Sequence, residues 1–267
     1  MPTTLDQIID STRARVRELL PQRGEVERAA SEVPDPPGFE AALTGEGVAV
    51  IAEVKRRSPS GGAIAEDLRP GVLASAYETG GAVAISVLTE PEFFGGSLND
   101  LAAVRRAVAL PVLRKDFVID PVQIFEARAA GASAILLIVR ALEDGELAEL
   151  HGVAVGLGLG VLVETHTEVE VNRAVGIGAR IVGVNSRDLD TFVVDVQRIL
   201  PMLRALPSDI IAVAESGLRS RAAVEEVAKA GADAVLVGTH LAGHRSPEAA
   251  VRTMAGVPTA ARSSVRQ

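Results

Sequence analysis

The sequence predicts an α/β protein in which parallel strands alternate with helices. Eight short, mostly apolar runs lie between residues 48 and 238, and most of them end in a polar residue. Such runs are typical of parallel strands that are buried on both faces. A Gly-Ala pair precedes every second run, which indicates four copies of a two-strand, two-helix unit. Eight strands favour a closed (βα)8 TIM barrel over a doubly wound open sheet, which usually has fewer strands and a glycine-rich first turn.

The predicted strands share an apolar, largely β-branched composition and are, in order, VAVIAEVK, AVAISVLT, LPVLRKD, SAILLIVR, LGVLVET, ARIVGVN, DIIAVAES and ADAVLVG. The segments between them are long enough to form helices. The Gly-Ala pairs begin at Gly81, Gly131, Gly178 and Gly231. A glycine there can adopt the left-handed conformation that ends a helix, so we expect a helix before each pair and a strand after it.

Residues 1–47 are predicted to form a helical extension that packs on a barrel comprising residues 48–267. The first segment, MPTTLDQIIDSTRARVREL, has the spacing of an amphipathic helix. Its apolar residues are Leu5, Ile8, Ile9, Val16 and Leu19. The sequence PDPPG at 34–38 is the one candidate break, and the remainder indicates a single domain overall.

The composition argues against several classes of partner. A formal charge of −8, 3% aromatic residues and no Trp disfavour nucleic-acid binding, which requires basic faces and stacking rings. The chain has no apolar run long enough to span a membrane, and its first segment lacks the pattern of a signal peptide. The absence of Cys excludes disulfides and thiolate metal sites and fits a reducing cytoplasm. We therefore expect a cytoplasmic protein that binds a small molecule.

Lysine is rare in this chain, with three lysines against 24 arginines, and two of the three close predicted strands. These are Lys55 and Lys115. Burial can lower the pKa of an ammonium group, so that it donates a proton or forms a Schiff base, whereas a guanidinium stays charged. Both lysines are therefore candidate catalytic residues, although a solvated strand-end lysine is the ordinary alternative.

Other strand ends carry further polar residues, and in a TIM barrel the reactive groups lie at these ends. The candidates are Glu53, Glu164, Asn185 and Glu215. Side chains alternate along a strand, so Glu53 and Lys55 are predicted to point into the barrel mouth together. Interleaved carboxylates and ammonium groups suit proton transfer on one substrate, and a structural network of ion pairs is the alternative.

The loops after the last two strands indicate a phosphate site. They contain small and hydroxyl residues, namely Ser216, Gly217, Gly238 and Thr239. Many TIM barrels bind phosphate in these two loops. The glycine-rich sequence SPSGG at 58–62 could add donors. We expect Gly238→Asp to weaken phosphate binding without disturbing the fold, because the position is predicted to lie in a loop.

Several long motifs in register resemble those of the indole-3-glycerol phosphate synthase family: AEVKRRSPSGG, ISVLTEPEFFGGS, VLRKDFVIDPVQIFEARAAGA, VLVETHTEVE, GVNSRDL, AESGL and GADAVLVG. The resemblance covers about residues 48–243, and the N-terminal extension also resembles that of the family. It implies a TIM-barrel carboxy-lyase of tryptophan biosynthesis that closes 1-(o-carboxyphenylamino)-1-deoxyribulose 5-phosphate to an indole with loss of carbon dioxide and water. It implies no metal or organic cofactor, and other tryptophan-pathway enzymes are candidate partners.

Carried over residue by residue, the resemblance implies that Lys115 is the general acid toward the ketose carbonyl. Lys55 would bind the substrate carboxylate and assist as a second proton donor, and Glu164 would complete the dehydration. The residues that would position the hydroxyl groups and the anilinic nitrogen are Glu53, Asn185 and Glu215. Arg187 and Phe94 would line the pocket, and Leu236 would form an apolar wall. The phosphate would be held by Ser58, Ser216, Gly217, Gly238 and Thr239.

The sequence departs from the common family pattern at a few positions. Gly61 stands where many members have Lys, Ser186 where they often have Asn or Ala, and the pair Thr239-His240 where a Glu or Ser is common. None of these changes removes a proposed acid or base. The four histidines lack metal-ligand spacing on a helix face and are predicted to be structural or to lie behind the site; they are His151, His166, His240 and His244. Arg114 and Asp116 are predicted to form a supporting ion pair.

The sequence is also compatible with two other functions. A strand-end lysine in a TIM barrel also suits a Schiff-base aldolase. A paralogue that retains the barrel without turnover is the non-enzymatic alternative. A phosphoribosylanthranilate isomerase, which shares the fold and the pathway, is expected to use a cysteine base, and this chain has no Cys.

Overall fold

The computed structural model describes residues 4–58, 62–64, 68–188 and 191–262. Eight parallel strands form a closed barrel, as predicted. The strands are β1 (Ala49–Val54), β2 (Ala84–Leu88), β3 (Val112–Lys115), β4 (Ala134–Ile138), β5 (Gly160–Thr165), β6 (Ile181–Asn185), β7 (Ile211–Glu215) and β8 (Ala234–Val237). Each strand pairs with its neighbours in sequence, and β1 pairs with both β2 and β8.

Helices precede the barrel and surround it. They are α1 (Leu5–Leu19), α2 (Arg23–Glu32), α3 (Phe39–Ala42), α4 (Pro70–Gly80), α5 (Leu98–Ala107), α6 (Pro121–Ala129), α7 (Asp144–Gly156), α8 (Glu168–Gly176), α9 (Val196–Ala205), α10 (Arg221–Lys229), α11 (Thr239–Ala242) and α12 (Pro247–Met254). Side chains of Asp120, Thr167 and Ser220 accept hydrogen bonds from backbone amides in the first turns of α6, α8 and α10. Such caps satisfy amides that have no partner within the helix.

The four glycines of the Gly-Ala pairs adopt the left-handed conformation, as predicted. Their φ angles are 99° at Gly81, 85° at Gly131, 79° at Gly178 and 97° at Gly231. The chain reverses at each of them and enters an even-numbered barrel strand. The sequence repeat therefore corresponds to the structural repeat of two strands and two helices.

Alternate residues of each strand point to opposite faces of the sheet. On the odd-numbered strands, Ile51, Leu113, Leu162 and Val213 belong to one buried cluster inside the barrel. A second, larger cluster lies between the strands and the surrounding helices. Phe39 and Leu43 of the extension belong to the inner cluster. Gly160 lies against the Phe39 side chain at the start of β5, so these residues close the N-terminal end of the barrel.

The helical extension is fastened to the barrel by charged contacts as well as apolar ones. The guanidinium of Arg15 on α1 donates hydrogen bonds to both carboxylate oxygens of Asp116, at 3.0 and 3.4 Å. Asp116 is fully buried and also pairs with Arg114 at 3.1 Å, so the supporting ion pair predicted for these two residues is confirmed. Arg128 of α6 donates to the carbonyl oxygens of Val33 and Pro34.

The segment after β1 forms a short antiparallel hairpin between Arg57–Ser58 and Gly62–Ala63. The side chain of Ser58 and the whole of Ser60 and Gly61 lie outside the described residues. In the part of the chain that the structure describes, no helix combines the length and the apolar character needed to cross a bilayer.

Candidate active site

Four ionisable side chains form the uppermost inward-facing layer contributed by the odd-numbered strands. They are Glu53 of β1, Lys115 of β3, Glu164 of β5 and Glu215 of β7. Each stands two residues beyond a member of the apolar interior cluster, namely Ile51, Leu113, Leu162 and Val213. A TIM barrel fills its interior with layers of four side chains from alternate strands. In this protein, the layer at the catalytic end of the barrel is charged instead of apolar.

The two lysines share the carboxylate of Glu53. Nζ of Lys55 lies 2.7 Å from Oε1 of Glu53, and Nζ of Lys115 lies 3.9 Å from Oε2. The predicted orientation of Glu53 and Lys55 toward the barrel mouth is therefore confirmed. Glu53 is 3% exposed. Its burial raises the pKa of its carboxyl group, but the adjacent charges of Lys55 and Lys115 outweigh burial and hold that pKa below its ordinary value.

Glu164 has different partners on its two oxygens. Oε1 accepts a hydrogen bond of 3.1 Å from Nδ2 of Asn185 and lies 3.4 Å from Nε2 of His166. Oε2 lies 3.5 Å from Nζ of Lys115. Burial raises the pKa of Glu164, but the charges of Lys115 and His166 and the hydrogen bonds to Oε1 together lower it well below its ordinary value. Glu164 is therefore a carboxylate in the free protein.

Glu215 has the opposite charge behaviour although it lies in the same layer. Burial and the nearby negative charge of Glu164 raise the pKa of Glu215 well above its ordinary value, and Lys115 opposes this only in part. Its Oε1 atom is buried without a hydrogen-bond partner among the described residues. Two neighbouring carboxyl groups with opposed pKa shifts supply one proton acceptor and one proton donor.

The charge state of Lys115 differs from the expectation that burial lowers a catalytic lysine's pKa. Burial does act in that direction, but the carboxylates of Glu164, Glu53 and Glu215 outweigh it and raise the pKa of Lys115. The expectation was wrong because it considered the lysine without its neighbours. A Schiff base requires a neutral amine, whereas Lys115 is held here as an ammonium, which is a proton donor.

Two glycines leave room for the carboxylates of this layer. A Cβ atom at Gly238 would overlap Oε1 of Glu53, and one at Gly183 would overlap Oε1 of Glu215. Gly238→Asp would therefore affect Glu53 as well as a bound phosphate, because any side chain at this position meets the Glu53 carboxylate. Gly238 adjoins the charged layer instead of lying in a remote loop.

The charged layer forms the floor of a cavity of about 420 Å³ at the C-terminal ends of the strands. Nearly all predicted site residues line it: Glu53, Lys55, Phe94, Lys115, Glu164, Asn185, Arg187, Glu215, Ser216, Gly217, Leu236, Gly238 and Thr239. The rings of Phe94 and Phe117 have centroids 6.1 Å apart and form an aromatic wall. The cavity thus combines proton-transfer groups, an aromatic wall and a polar rim.

The loops after β7 and β8 form one side of the cavity. Ser216 and Gly217 both have positive φ angles, of 67° and 76°, and the carbonyl of Ser216 accepts a hydrogen bond from the Ser186 hydroxyl. Two guanidinium groups, of Arg187 and Arg219, line the same cavity. Arg219 makes no hydrogen bond or ion pair with any residue that the structure describes. This side of the cavity therefore has the charge and the polar groups that an anion requires.

Several lining residues were not predicted from the sequence. They are Leu5, Ile8, Leu88, Phe117, Ile138, Arg219 and His240. Phe117 follows Lys115 by two positions, so the period of a strand could have indicated it. No comparable signal places Leu5 and Ile8 of α1 over the barrel mouth, because their position depends on how the extension packs.

Within the described ranges, no three His, Asp or Glu side chains are grouped as metal ligands. The histidines lie in different parts of the protein. His166 is buried beside Glu164, whereas His240 and His244 lie with their ring centroids 5.7 Å apart near the surface.

Comparisons with known proteins show which family this chain resembles. The family model described as indole-3-glycerol phosphate synthase matches residues 5–254. The indole-3-glycerol phosphate synthase of Mycobacteroides abscessus is 53% identical over 251 residues, which cover 93% of this chain and 92% of that protein. The enzyme of the same name from Rhodococcus opacus is 51% identical, with 93% of each chain covered.

A solved structure shares the fold at low sequence identity. The 3-hexulose-6-phosphate synthase of Salmonella typhimurium superposes with a TM-score of 0.63 at 16% identity, over 78% of this chain and 96% of that one. This likeness concerns the barrel alone. The family match and the relatives concern almost the whole chain, including the strand ends that carry the charged layer. The chain belongs to the indole-3-glycerol phosphate synthase family.

Proposed function

We propose that this protein is an indole-3-glycerol phosphate synthase that acts on 1-(o-carboxyphenylamino)-1-deoxyribulose 5-phosphate. An aromatic ring carbon attacks the ketose carbonyl, carbon dioxide leaves the same ring, and water is eliminated to complete the indole. These reaction steps need a proton donor for the carbonyl, a cation for the substrate carboxylate and a base for the dehydration. The charged layer at the barrel mouth contains all three kinds of group.

Lys115 is the proton donor in this proposal. Its ammonium lies between two carboxylates, 3.5 Å from Glu164 and 3.9 Å from Glu53, and faces the cavity. A proton given to the carbonyl oxygen neutralises the alkoxide that forms as the ring closes. The carboxylates keep the ammonium protonated in the free protein, so the acid is in its active form before substrate binds.

Lys55 binds the substrate carboxylate until carbon dioxide leaves. Its ammonium already pairs with Glu53 at 2.7 Å and is 14% exposed, so it can contact a ligand while retaining that pair. Glu53 holds both lysines in position. Loss of carbon dioxide removes the negative charge that Lys55 has bound, and the Glu53 carboxylate then remains its partner.

Glu164 takes up the proton that is lost in the dehydration. It enters the reaction as a carboxylate, held at Oε1 by Asn185, while Oε2 lies 3.5 Å from Nζ of Lys115 and has no hydrogen-bond partner among the described residues. Glu215, whose pKa is raised by burial and by the charge of Glu164, is the carboxyl group of the layer best suited to donate a hydrogen bond to a substrate hydroxyl. Asn185 lies opposite Glu215 in the register of β6 and β7, so both can reach the same part of a bound substrate.

The remaining lining residues position the two ends of the substrate. Phe94 and the apolar side chain of Leu236 suit the aromatic ring. The loops after β7 and β8 suit the phosphate, with Ser216, Gly217 and Thr239 as donors. Gly238 also belongs to this side, where a side chain would displace Glu53. Ser58 stays a proposed contact on the basis of the family motif alone.

The observation that carries the proposal is the Lys115 ammonium held between Glu53 and Glu164 above an apolar barrel interior. The test is incubation of the purified protein with the carboxyphenylamino ribulose phosphate while indole fluorescence is monitored. Formation of indole-3-glycerol phosphate supports the proposal. Absence of product, or borohydride trapping of a covalent adduct between Lys115 and a keto-sugar phosphate, would favour the Schiff-base aldolase instead.

We further propose a cytoplasmic enzyme of tryptophan biosynthesis in which residues 1–47 and 48–267 act as one unit. The absence of Cys from the sequence supports the location. The contacts of Arg15 and Arg128 between the extension and the barrel support the single unit. Other enzymes of the pathway are proposed partners, on the basis of the family alone.

A further inference from the structure

A buried histidine behind the charged layer has no part in the chemistry described so far. His166 stands two residues beyond Glu164, just after the end of β5, and is 4% exposed. Its side chain lies between two carboxylates. Nε2 is 3.4 Å from Oε1 of Glu164, and Nδ1 is 3.3 Å from Oε2 of Glu170 on α8.

The backbone fixes the position of this ring. The amide of His166 donates a hydrogen bond of 2.7 Å to Oε2 of Glu170, the same oxygen that Nδ1 approaches. Glu170 lies in the first turn of α8, where the side chain of Thr167 caps the helix by accepting from the Glu170 amide. The ring is therefore held from the side of the helix, and its other nitrogen is directed at Glu164.

A neutral imidazole does not fit these surroundings. If Nδ1 carries the proton for Glu170, Nε2 directs a lone pair at a carboxylate oxygen, and the opposite tautomer creates the same conflict at Glu170. A doubly protonated ring carries a positive charge between the two carboxylates, with Nδ1 3.3 Å from Glu170 and Nε2 in a 3.4 Å charge contact with Glu164 that lacks hydrogen-bond geometry. Burial lowers the pKa of His166, but the two carboxylates outweigh it and raise that pKa to about 9.

We propose that His166 is a positioning residue for Glu164: as an imidazolium ion it occupies Oε1 together with Asn185 and leaves Oε2 as the oxygen that exchanges a proton with the substrate. This inference rests on the proposed function, because it assigns the reacting oxygen of the same base. Glu170 is the counter-charge. When Oε2 takes up a proton and Glu164 becomes neutral, the imidazolium still has Glu170 as its partner, so no isolated charge remains in the interior.

The charged groups around His166 come from four elements. Glu164 faces it from β5 and Glu170 from α8. Lys115 of β3 lies on the far oxygen of Glu164, and the charge of Arg140, between β4 and α7, acts on Glu170. Both flanking carboxylates therefore have a cation beyond them. The imidazolium lies between these two pairs of opposite charges, Lys115 with Glu164 and Arg140 with Glu170, and contacts both carboxylates.

The first test is histidine-specific 15N NMR of the whole protein, which contains four histidines. We expect one ring to remain doubly protonated at pH 8. That signal should vanish in His166→Gln and persist in His151→Gln, a matched change on α7. In Glu170→Gln, which removes one flanking charge, the ring should lose its proton at a lower pH. A His166 ring that is neutral at pH 7 would overturn the proposal.

The second test compares the pH dependence of kcat for the wild type and His166→Gln. Without the imidazolium, the pKa of Glu164 rises, so the acid limb of the profile should move to higher pH. We expect kcat at neutral pH to fall about tenfold, with KM changed by less than about twofold, the pattern of a lost transition-state contribution. If kcat of His166→Gln falls but the acid limb of its pH profile does not move, His166 has only a structural role.

These outcomes separate the inference from the proposed function. If the wild type forms no indole product, the proposed function fails, while the NMR result still decides the state of the ring. If the wild type is active and neither the NMR signal nor the acid limb behaves as expected, only the role of His166 fails. If His166→Gln does not fold, Glu170→Gln provides the same comparison, and its acid limb should move in the same direction.

Discussion

Nζ of Lys115 lies 3.5 Å from Oε2 of Glu164, and both residues line the cavity. The ammonium is the proposed acid for the first step, and the carboxylate is the proposed base for the last. Each keeps the other in its reactive protonation state before substrate binds, because the charge of each favours the ionised form of its partner.

Glu164→Gln should separate the early steps from the last one. Glutamine retains the shape of Glu164 and can still accept a hydrogen bond from Asn185, but it cannot exchange a proton. We expect the variant to bind substrate and release carbon dioxide while an undehydrated intermediate accumulates. Single-turnover measurement of carbon dioxide and indole formation checks this order. Parallel loss of both products would place Glu164 at or before ring closure.

Gly238→Ala should damage the charged layer instead of phosphate binding. The added Cβ overlaps Oε1 of Glu53 and lies 3.2 Å from Nζ of Lys55, so the carboxylate must move. We expect kcat to fall more than KM rises, and the free energy of unfolding to fall by about 1–3 kcal/mol. Steady-state kinetics and urea unfolding check both effects.

Gly176→Ala is the matched control for this substitution. Gly176 ends α8, and a Cβ atom there has no neighbour within 4 Å. We expect this control to retain wild-type kinetics and stability. A Gly238→Ala variant that is equally unaffected would show that Glu53 can move without consequence, contrary to its proposed role as the holder of both lysines.

Glu215→Gln should change how stability depends on pH. The pKa of Glu215 is raised in the folded protein, so the folded state binds this proton more tightly than the unfolded state. Its contribution to stability is therefore present at low pH and is lost as the pH rises from the ordinary carboxyl value of 4.5 through the raised one. Glutamine does not titrate. The variant should thus gain stability relative to the wild type as the pH rises above about 4.5, as measured by urea unfolding.

One result would contradict the raised pKa of Glu215. If the difference in free energy of unfolding between wild type and Glu215→Gln stays constant over that pH range, Glu215 is ionised in the folded protein. The carboxyl group would then accept a hydrogen bond from substrate instead of donating one. Three carboxylates would then face the two lysines, one more negative charge than the two ammonium groups balance.

Arg219→Gln should weaken substrate binding through the phosphate. The guanidinium of Arg219 lines the cavity, makes no ion pair with the described residues and is exposed, so its loss should leave the fold intact. One exposed charge contact is worth about 1 kcal/mol, which corresponds to about a fivefold rise in KM at unchanged kcat. Arg106→Gln, an exposed arginine in the last turn of α5, is the control. Equal KM values for both variants would remove Arg219 from the phosphate site.

Most of the fold and the strand-end site residues could be predicted from the pattern of the strands. Apolar runs with polar ends located all eight strands, and the period of two residues placed Glu53 above Ile51 and Glu164 above Leu162. These features depend only on local sequence, because a buried parallel strand must be apolar until it reaches the barrel mouth. The family motifs added the site residues that lie in loops.

The features that escaped prediction depend on contacts between distant segments. The raised pKa of Lys115 requires three carboxylates from three other strands, and no single strand contains that information. The space that Gly183 and Gly238 leave for carboxylates depends on the register between neighbouring strands. Leu5 and Ile8 line the cavity because α1 packs against the barrel, where Arg15 pairs with Asp116, 101 residues away.

Turnover by Lys115→Arg tests the role of the charged layer most directly. Arginine keeps a positive charge between Glu53 and Glu164, but its planar guanidinium does not present a transferable ammonium proton at the position of Nζ. We expect the rate constant for ring closure in single-turnover fluorescence measurements to fall by about 10²-fold or more, the usual scale for a lost general acid, while substrate affinity falls less. Near-wild-type turnover by this variant would contradict the assignment, because it would show that only the charge of Lys115 matters and that another group donates the proton.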